Sequence, residues 1–147
     1  MILIVGYNSY VTVEEAKELL DGNAFYEKFN ALSESKQQKL LCDSAMRIDS
    51  LPFEGRKKDI AQYMEFPRGQ QEEVPFQVKQ AQVLEAVCVL DDEAESRRKI
   101  QEQGVTSVTL GKVSESYGGV TATSGGLRSP DAFLLLRKYI SGSVAIV

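Results

Sequence analysis

The chain has 147 residues, of which 43% are apolar and 26% charged, and a formal net charge of −4. This composition fits one globular domain over residues 1–147 and excludes a wholly disordered chain. Its apolar runs are shorter than the roughly 20 residues of a membrane-spanning helix, and its start lacks the leader of a secretory signal. Because histidine is absent, the commonest general base and metal ligand are missing, and we expect a non-enzyme without metal or cofactor.

Helices are predicted over the first part of the chain. Thr12 and Glu15 have the spacing of a capping box, which opens the first helix. A short aromatic helical piece follows at residues 25–29. Ser33 opens a second amphipathic helix, which Pro52 terminates because proline lacks an amide hydrogen.

A charged segment at residues 55–71 is predicted to be an irregular loop with one helical turn at most. A loop of this length is unusual in a compact domain, which indicates a role beyond connection. The aromatic residues of this half of the chain stand beside apolar neighbours, so we place them in the core. The six residues placed there are Phe25, Tyr26, Phe29, Phe53, Tyr63 and Phe66.

The longest predicted helix begins at Pro75 and ends before Gly104. If unbroken, it would be about 43 Å long. Its stretch from residue 83 to 90 is almost entirely apolar, which is typical of a central core helix. The remainder has little to bury, so it should be solvated or covered by another subunit. Ser129 then caps a last helix with Pro130 at its first position.

A β-hairpin is predicted at about residues 105–125, where β-branched residues alternate with glycines. Two strands alone are marginal in water, so the hairpin needs the helical body or another chain as a partner. Both ends of the chain are apolar. The first residues are either a short buried strand or an arm on a neighbouring surface, and residues 141–147 form a C-terminal arm. The predicted fold is mainly α, a bundle of about four helices around one long central helix, with a protruding β-hairpin and extended termini.

Few motifs in the sequence carry chemistry. The pair Gly118-Gly119 does not open a helix as a phosphate-binding loop would, so turn glycines are the better interpretation. The acidic cluster at residues 91–95 lacks the glycine turn of a calcium loop and indicates a solvated helix face. Basic clusters at 56–58, 97–99 and 137–138 are interleaved with acids. They indicate either DNA contact or, more often in an acidic chain, ion pairing and solvation.

The order of several short motifs resembles one family. The motifs are residues 7–16 (YNSYVTVEEA), 47–49 (RID), 51–57 (LPFEGRK), 66–68 (FPR), 74–75 (VP), 112–116 (KVSES) and 127–132 (LRSPDA). They resemble small tailed-phage structural proteins, the head–tail connector (adaptor) proteins, in a family labelled DnaT-like single-stranded-DNA-binding proteins. The resemblance covers about residues 7–140.

The resemblance implies a structural virion protein that forms a dodecameric ring under the portal and continues the DNA channel to the tail. Its partners would be copies of itself, the portal protein, a tail-completion or tail-terminator protein and, non-specifically, packaged double-stranded DNA, with no membrane. It would be located in the virion neck after assembly in the host cytoplasm. The alternative is a single-stranded-DNA-binding protein acting in phage replication.

The resemblance and the unpartnered hairpin also suggest interface residues. The candidates for subunit, portal or channel contacts are Lys112, Ser114, Glu115, Tyr117, Gly118, Gly119, Val144, Ile146 and Val147. The candidates for structural roles around the 55–71 loop are Arg47, Asp49, Phe53, Arg56, Phe66 and Arg68.

Among the structural candidates, Arg47 and Asp49 are expected to tie the following loop by charge-assisted hydrogen bonds. Phe53 and Phe66 are expected to pin that loop to the core. The basic residues Arg56, Lys57 and Arg68 either close ion pairs or face a neighbour. No catalytic, cofactor-binding or metal-binding residue is predicted.

Overall fold

The computed structural model describes residues 2–92, 96 and 126–140. The helices in this part of the chain are α1 (Val13–Leu19), α2 (Tyr26–Asn30), α3 (Glu34–Asp49), α4 (Phe76–Val87) and α5 (Pro130–Leu136). Short 3₁₀ helices follow α4 at Cys88–Leu90 and α5 at Arg137–Tyr139. The predicted helix-rich class is confirmed here, and the described residues contain isolated β-bridges without a sheet. The predicted hairpin and the arm at 141–147 lie outside the described residues.

The predicted helix starts are confirmed by their caps. Thr12 accepts a hydrogen bond from the Glu15 amide at 3.0 Å, and the Glu15 carboxylate accepts one from the Thr12 amide at 3.4 Å. Ser33 Oγ accepts from the Lys36 amide at 3.3 Å and so caps α3. Ser129 accepts from the Ala132 amide at 3.1 Å, with proline in the first turn of α5. These side chains satisfy amides that a helix start leaves unpaired.

The prediction of one helix from 75 to 103 is wrong. α4 ends at Val87, the chain tightens into a 3₁₀ turn, and Asp91 takes extended angles of φ −85 and ψ 96. The carboxylates of Asp91 and Asp92 stand at the negative end of the α4 dipole, where acids are unfavourable. The β-branched Val87 and Val89 also weaken helix propensity at this point.

Helix α4 is nevertheless the central element, because it packs against α1, α3 and α5. Val78 and Ala81 of α4 belong to one apolar cluster, which includes residues of α3, α5 and the loop after α3. Val83 and Ala86 belong to a second cluster with residues of α1, α2 and α3. No described helix is long and apolar enough to cross a bilayer.

Two polar side chains of α4 are also fully buried, and each is fully engaged. Gln82 accepts from the Tyr10 amide at 2.9 Å and donates to Ser9 Oγ and the Leu41 carbonyl, both at 2.9 Å. Glu85 accepts from Arg47 Nε at 2.7 Å. An unpaired buried polar group is costly. These contacts therefore fix α3 and the residues before α1, which we call the N-terminal arm, on α4.

Candidate functional site

The loop after α3, residues 53–71, is irregular as predicted and is held by one buried arginine. We call these residues the platform loop. Arg68, only 9% exposed, donates from Nε to the Glu54 carbonyl at 2.8 Å and from Nη2 to the Gly55 carbonyl at 2.6 Å. Its Nη1 contacts Glu65 Oε1 at 2.6 Å. The planar guanidinium thus joins the two sides of the loop through several bonds at once.

A second group of hydrogen bonds joins the platform loop to α3 and to the N-terminal arm. The Tyr10 hydroxyl donates to Asp49 Oδ1 and accepts from the Phe66 amide at 3.2 Å. Asp49 Oδ2 accepts from the Glu65 amide at 3.3 Å. Burial raises the pKa of Asp49 from 3.8 to about 6, and burial together with the Asp49 charge raises the pKa of Tyr10.

The tip of the platform loop is a tight turn. The Gln62 amide donates to the Asp59 carbonyl at 3.0 Å, and the Asp59 amide donates to Gln62 Oε1 at 3.0 Å. Asp59 Oδ1 accepts from the Ala61 amide at 2.9 Å, and Gln62 Nε2 donates to the Pro67 carbonyl at 3.0 Å. These bonds hold Ile60 outward with 95% of its surface exposed.

An aromatic pair lies on the outer side of the platform loop. Tyr63 is 74% exposed and Tyr7 of the N-terminal arm is 52% exposed. Their ring centroids are 4.8 Å apart with the ring planes at 79°. The prediction that Tyr63 lies in the core is wrong, because Met64 and Phe66 take the inward positions and leave Tyr63 facing solvent. Exposed aromatic faces are the groups on which nucleobases stack.

The platform loop also carries three cations in a row, Arg56, Lys57 and Lys58. A β-bridge between Lys57 and Arg68 fixes the first side of the loop against the second. Lys57 is half-buried, and its Nζ lies 3.8 Å from Glu65 Oε2. Arg56 and Lys58, on either side of it in sequence, are exposed. The alternation leaves Arg56 and Lys58 exposed and turns Lys57 toward an acid. Lys58 Nζ also donates to the Gln71 carbonyl at 2.8 Å.

The structural candidates have the following positions. Phe53 and Phe66 are buried and meet edge to face, with centroids 4.7 Å apart. Asp49 contacts the loop backbone as described above. The expectation that Arg47 ties the same loop is wrong, because its guanidinium points to Glu85 on α4 and satisfies that buried carboxylate.

Three contributors to this arrangement are not predicted by the sequence patterns. Glu85 accepts from the Ser129 amide at 2.9 Å and the Arg128 amide at 3.0 Å, and so anchors the start of α5. In the sequence, Glu85 is distinguished as the one charged residue in an apolar stretch of α4. Tyr7 belongs to a motif that says nothing about its exposure, and no local pattern around Ile60 distinguishes exposure from burial.

The interface candidates of the hairpin and C-terminal arm lie outside the described residues. They are Lys112, Ser114, Glu115, Tyr117, Gly118, Gly119, Val144, Ile146 and Val147. Within the described part of the chain, no group of three or more acidic or cysteine side chains is arranged to hold a metal ion.

Comparison with known protein families places the chain in a family that is described by its resemblance to a single-stranded-DNA-binding protein. The family described as "Putative DnaT-like ssDNA binding protein" matches residues 3–147. The chain therefore belongs to this family, which is not an enzyme family. Neither the curated proteins nor the solved structures give a match. The match agrees with the family label suggested by the motifs, and it says nothing about a head–tail connector.

Proposed function

We propose that this chain binds single-stranded DNA through the tyrosine surface, which we define as Tyr7, Tyr63, Arg56 and Lys58. The observation that carries this proposal is an exposed tyrosine pair of which one member, Tyr63, belongs to the same loop as two exposed cations. Aromatic rings and cations are the two components of surfaces that bind single strands without sequence preference. The description of the family supports the same function.

The aromatic part favours a single strand over a duplex. A base that stacks on a tyrosine must be free of its own stacking neighbours, and paired bases in a duplex are not. Because the two ring planes stand at 79°, one base cannot lie flat on both rings. A base stacked on Tyr63 would meet the edge of Tyr7, and this stacking contributes about 1–3 kcal/mol.

The cationic part supplies contacts to phosphates. Arg56 and Lys58 are two positions apart, which is about 6.6 Å in extended chain and close to the phosphate spacing of an extended single strand. Each contact with a single strand adds about 0.7 to the slope of log affinity against log salt. With two cations and an acidic chain of net charge −4, we expect modest, salt-sensitive affinity.

The aromatic contribution can be tested by anisotropy of a labelled oligo-dT strand. Tyr63→Ala should weaken binding about five- to hundredfold, which corresponds to loss of one stacked base. Phe76→Ala is the matched control, because Phe76 is an exposed aromatic at the start of α4, outside the platform loop. Equal binding by wild type and Tyr63→Ala, or equal affinity for a duplex, would contradict the proposal.

The electrostatic contribution has a separate readout. Changing Arg56 and Lys58 to Gln should reduce the salt slope by about 1.4, or 0.7 for each lost contact. Lys36→Gln removes an exposed cation from the first turn of α3 and should leave the slope unchanged. A slope that falls equally in both variants would indicate a general effect of charge.

The N-terminal arm favours a second candidate, the head–tail connector. Ile2, Ile4 and Val5 are exposed, and Asn8 fastens the arm by accepting from the Ile4 amide at 2.7 Å and donating to the Ile2 carbonyl at 3.0 Å. Apolar side chains presented in this way are typical of surfaces that a partner covers. If the chain has this second function, its copies form a ring under a portal in the virion neck.

Mixing the protein with its cognate portal tests this second candidate. Electron microscopy should show a ring stacked on the portal, and no association at micromolar concentration would count against it. Deleting residues 111–119 should preserve the helical circular dichroism signal but block assembly. Loss of that signal would show that these residues belong to the core.

A further inference from the structure

A recess lies where the two sides of the platform loop meet the 3₁₀ turn after α5, and we call it the loop pocket. Its volume is about 180 Å³. A cavity of about 150 Å³ is large enough to hold one benzene ring. The loop pocket therefore has room for a single six-membered ring and for little else.

The walls of the loop pocket suit a flat group. Two of its lining residues are Tyr139 and Phe66, whose rings meet edge to face with centroids 5.4 Å apart. Gly55 and Gly69 also line it, and both take positive φ angles, which favour glycine. A side-chain carbon at either glycine would meet no atom within 4 Å beyond its chain neighbours. The space beside this backbone is therefore open to a planar ligand.

Two polar side chains of the loop pocket offer a ligand different contacts. All five N–H groups of Arg68 donate to acceptors within the platform loop. A ligand can therefore stack on the planar guanidinium but receives no hydrogen bond from it. Gln71 Oε1 accepts from the Arg68 amide at 2.8 Å, and Gln71 Nε2 has no partner among the described residues. This Nε2 is a donor for a ring oxygen or nitrogen, the groups that the edge of a nucleobase presents.

The charges inside the loop pocket favour a neutral ring over a phosphate. Glu54 lines the pocket, and its carboxylate would repel an anion. The charge of Arg68 is opposed by Glu65 Oε1, 2.6 Å from its Nη1. The Lys138 ammonium lies 5.3 Å from the centroid of the Tyr139 ring and can turn from the ring toward solvent when another group stacks there.

Two exposed cations border the loop pocket. The Gly69 amide donates to the Arg56 carbonyl at 2.9 Å, and Lys58 Nζ donates to the Gln71 carbonyl at 2.8 Å. A phosphate attached to a ring in the pocket would therefore lie close to them. Exposed acids follow these residues in the chain, namely Asp59, Glu72 and Glu73. Because the local charges nearly balance, we expect ring contacts and the bond from Gln71 to supply most of the affinity.

We infer that the loop pocket holds one nucleobase of a bound single strand, with the edge of the base on Gln71 Nε2. The inference rests on the proposed function for the choice of ligand. The base stacks on the ring of Tyr139 or the guanidinium of Arg68, and its phosphate meets Arg56 or Lys58. The strand is then held by two base contacts, one in this pocket and one on Tyr63.

Titration of isotope-labelled protein with thymidine 5′-monophosphate, followed by amide NMR spectra, tests the inference. The resonances of Gly55, Gly69 and the Gln71 side-chain amide should shift and saturate with a dissociation constant on the order of 1 mM. Inorganic phosphate should leave them in place. Gln71→Glu keeps an acceptor for the Arg68 amide but replaces the donor with a carboxylate oxygen, so the dissociation constant should rise at least fivefold. The same variant should weaken oligo-dT binding by a similar factor.

The matched control is Gln70→Glu, which adds the same charge at an exposed neighbour outside the pocket lining. It should bind both ligands as wild type does, and circular dichroism should show that both variants are folded. The inference is overturned if wild type shows no saturable shift up to about 10 mM, if inorganic phosphate reproduces the shifts, or if the two Glu variants bind equally.

Failure of this inference can be distinguished from failure of the proposed function. Tyr63→Ala should leave the thymidine monophosphate shifts at Gln71 unchanged, because Tyr63 does not line the loop pocket. If oligo-dT binding depends on Tyr63 and the pocket stays empty, only the inference is overturned. If thymidine monophosphate occupies the pocket and oligo-dT binding does not depend on Tyr63, the pocket stands and the tyrosine surface is overturned.

Discussion

In the helical body, α4 places apolar side chains in two clusters, and the neighbouring helices cover both. In the platform loop, by contrast, the backbone has no repeating pattern, and its positions are set by individual polar side chains such as Arg68, Gln62 and Asp49. The body is therefore stabilised mainly by removal of apolar surface from water, and the loop by satisfied hydrogen bonds together with the burial of Phe53, Met64 and Phe66. A loop held in this way can present residues outward that a packed helix would bury, and Ile60 and three of the four candidate DNA-binding residues lie there.

The largest effect is expected where the helical body depends on a polar group. Glu85→Ala removes the partner of Arg47 and the acceptor for the amides at the start of α5. Breaking a buried ion pair in this way should lower the free energy of unfolding by about 3–5 kcal/mol. Urea denaturation measures the change, with exposed Glu72→Ala as the control. A loss below 1 kcal/mol would mean that water replaces the carboxylate without cost.

The platform loop should respond to loss of Arg68. Arg68→Ala leaves the Glu54 and Gly55 carbonyls without their donor, and we expect a loss of about 2–3 kcal/mol. Arg68→Lys should restore little, because an ammonium cannot reproduce the fork of bonds. Urea denaturation of the two variants checks this. If the lysine variant matched wild type, charge alone would hold the loop.

The bond between Asp49 and the loop should also depend on pH. The pKa of Asp49 is raised to about 6 in the folded chain from 3.8, so folding favours the protonated form. Its contribution to stability is therefore greatest below pH 3.8, falls as the pH rises toward 6, and is constant above that. Asp49→Asn does not titrate, so the stability of wild type minus that of the variant should decline over this window. A flat difference from pH 4 to pH 7 would exclude this role for Asp49.

The same contrast explains how much the sequence predicts. The starts of α1, α3 and α5 follow from capping residues, because a cap acts on amides two or three positions away. The loop at 55–71 follows from its composition. The partner of Arg47 does not follow, because Glu85 is distant in sequence, and local pattern gives no indication of which acid a buried arginine meets.

The exposure of Tyr63 could not be predicted from neighbours alone. In an irregular loop, burial depends on which side of the backbone faces the body, and here Met64 and Phe66 take that side. Two acids follow α4 closely, and acids are unfavourable at the C-terminal end of a helix, so they indicate that the helix ends near Val87. The apolar run before them favours a continuous helix, and the two patterns therefore disagree. The tyrosine surface therefore became evident only from the tertiary structure.

The smallest expected effect is that of Tyr63 on stability. Its ring contacts Tyr7 edge to face, and it is largely exposed, so Tyr63→Ala should cost no more than about 1 kcal/mol in urea denaturation. The same variant should lose most of its affinity for oligo-dT. Tyr63→Phe keeps the ring and should retain both properties. If Tyr63→Ala destabilised the chain as much as Arg68→Ala does, the tyrosine would support the loop, and its weaker DNA binding would no longer indicate a contact with the base.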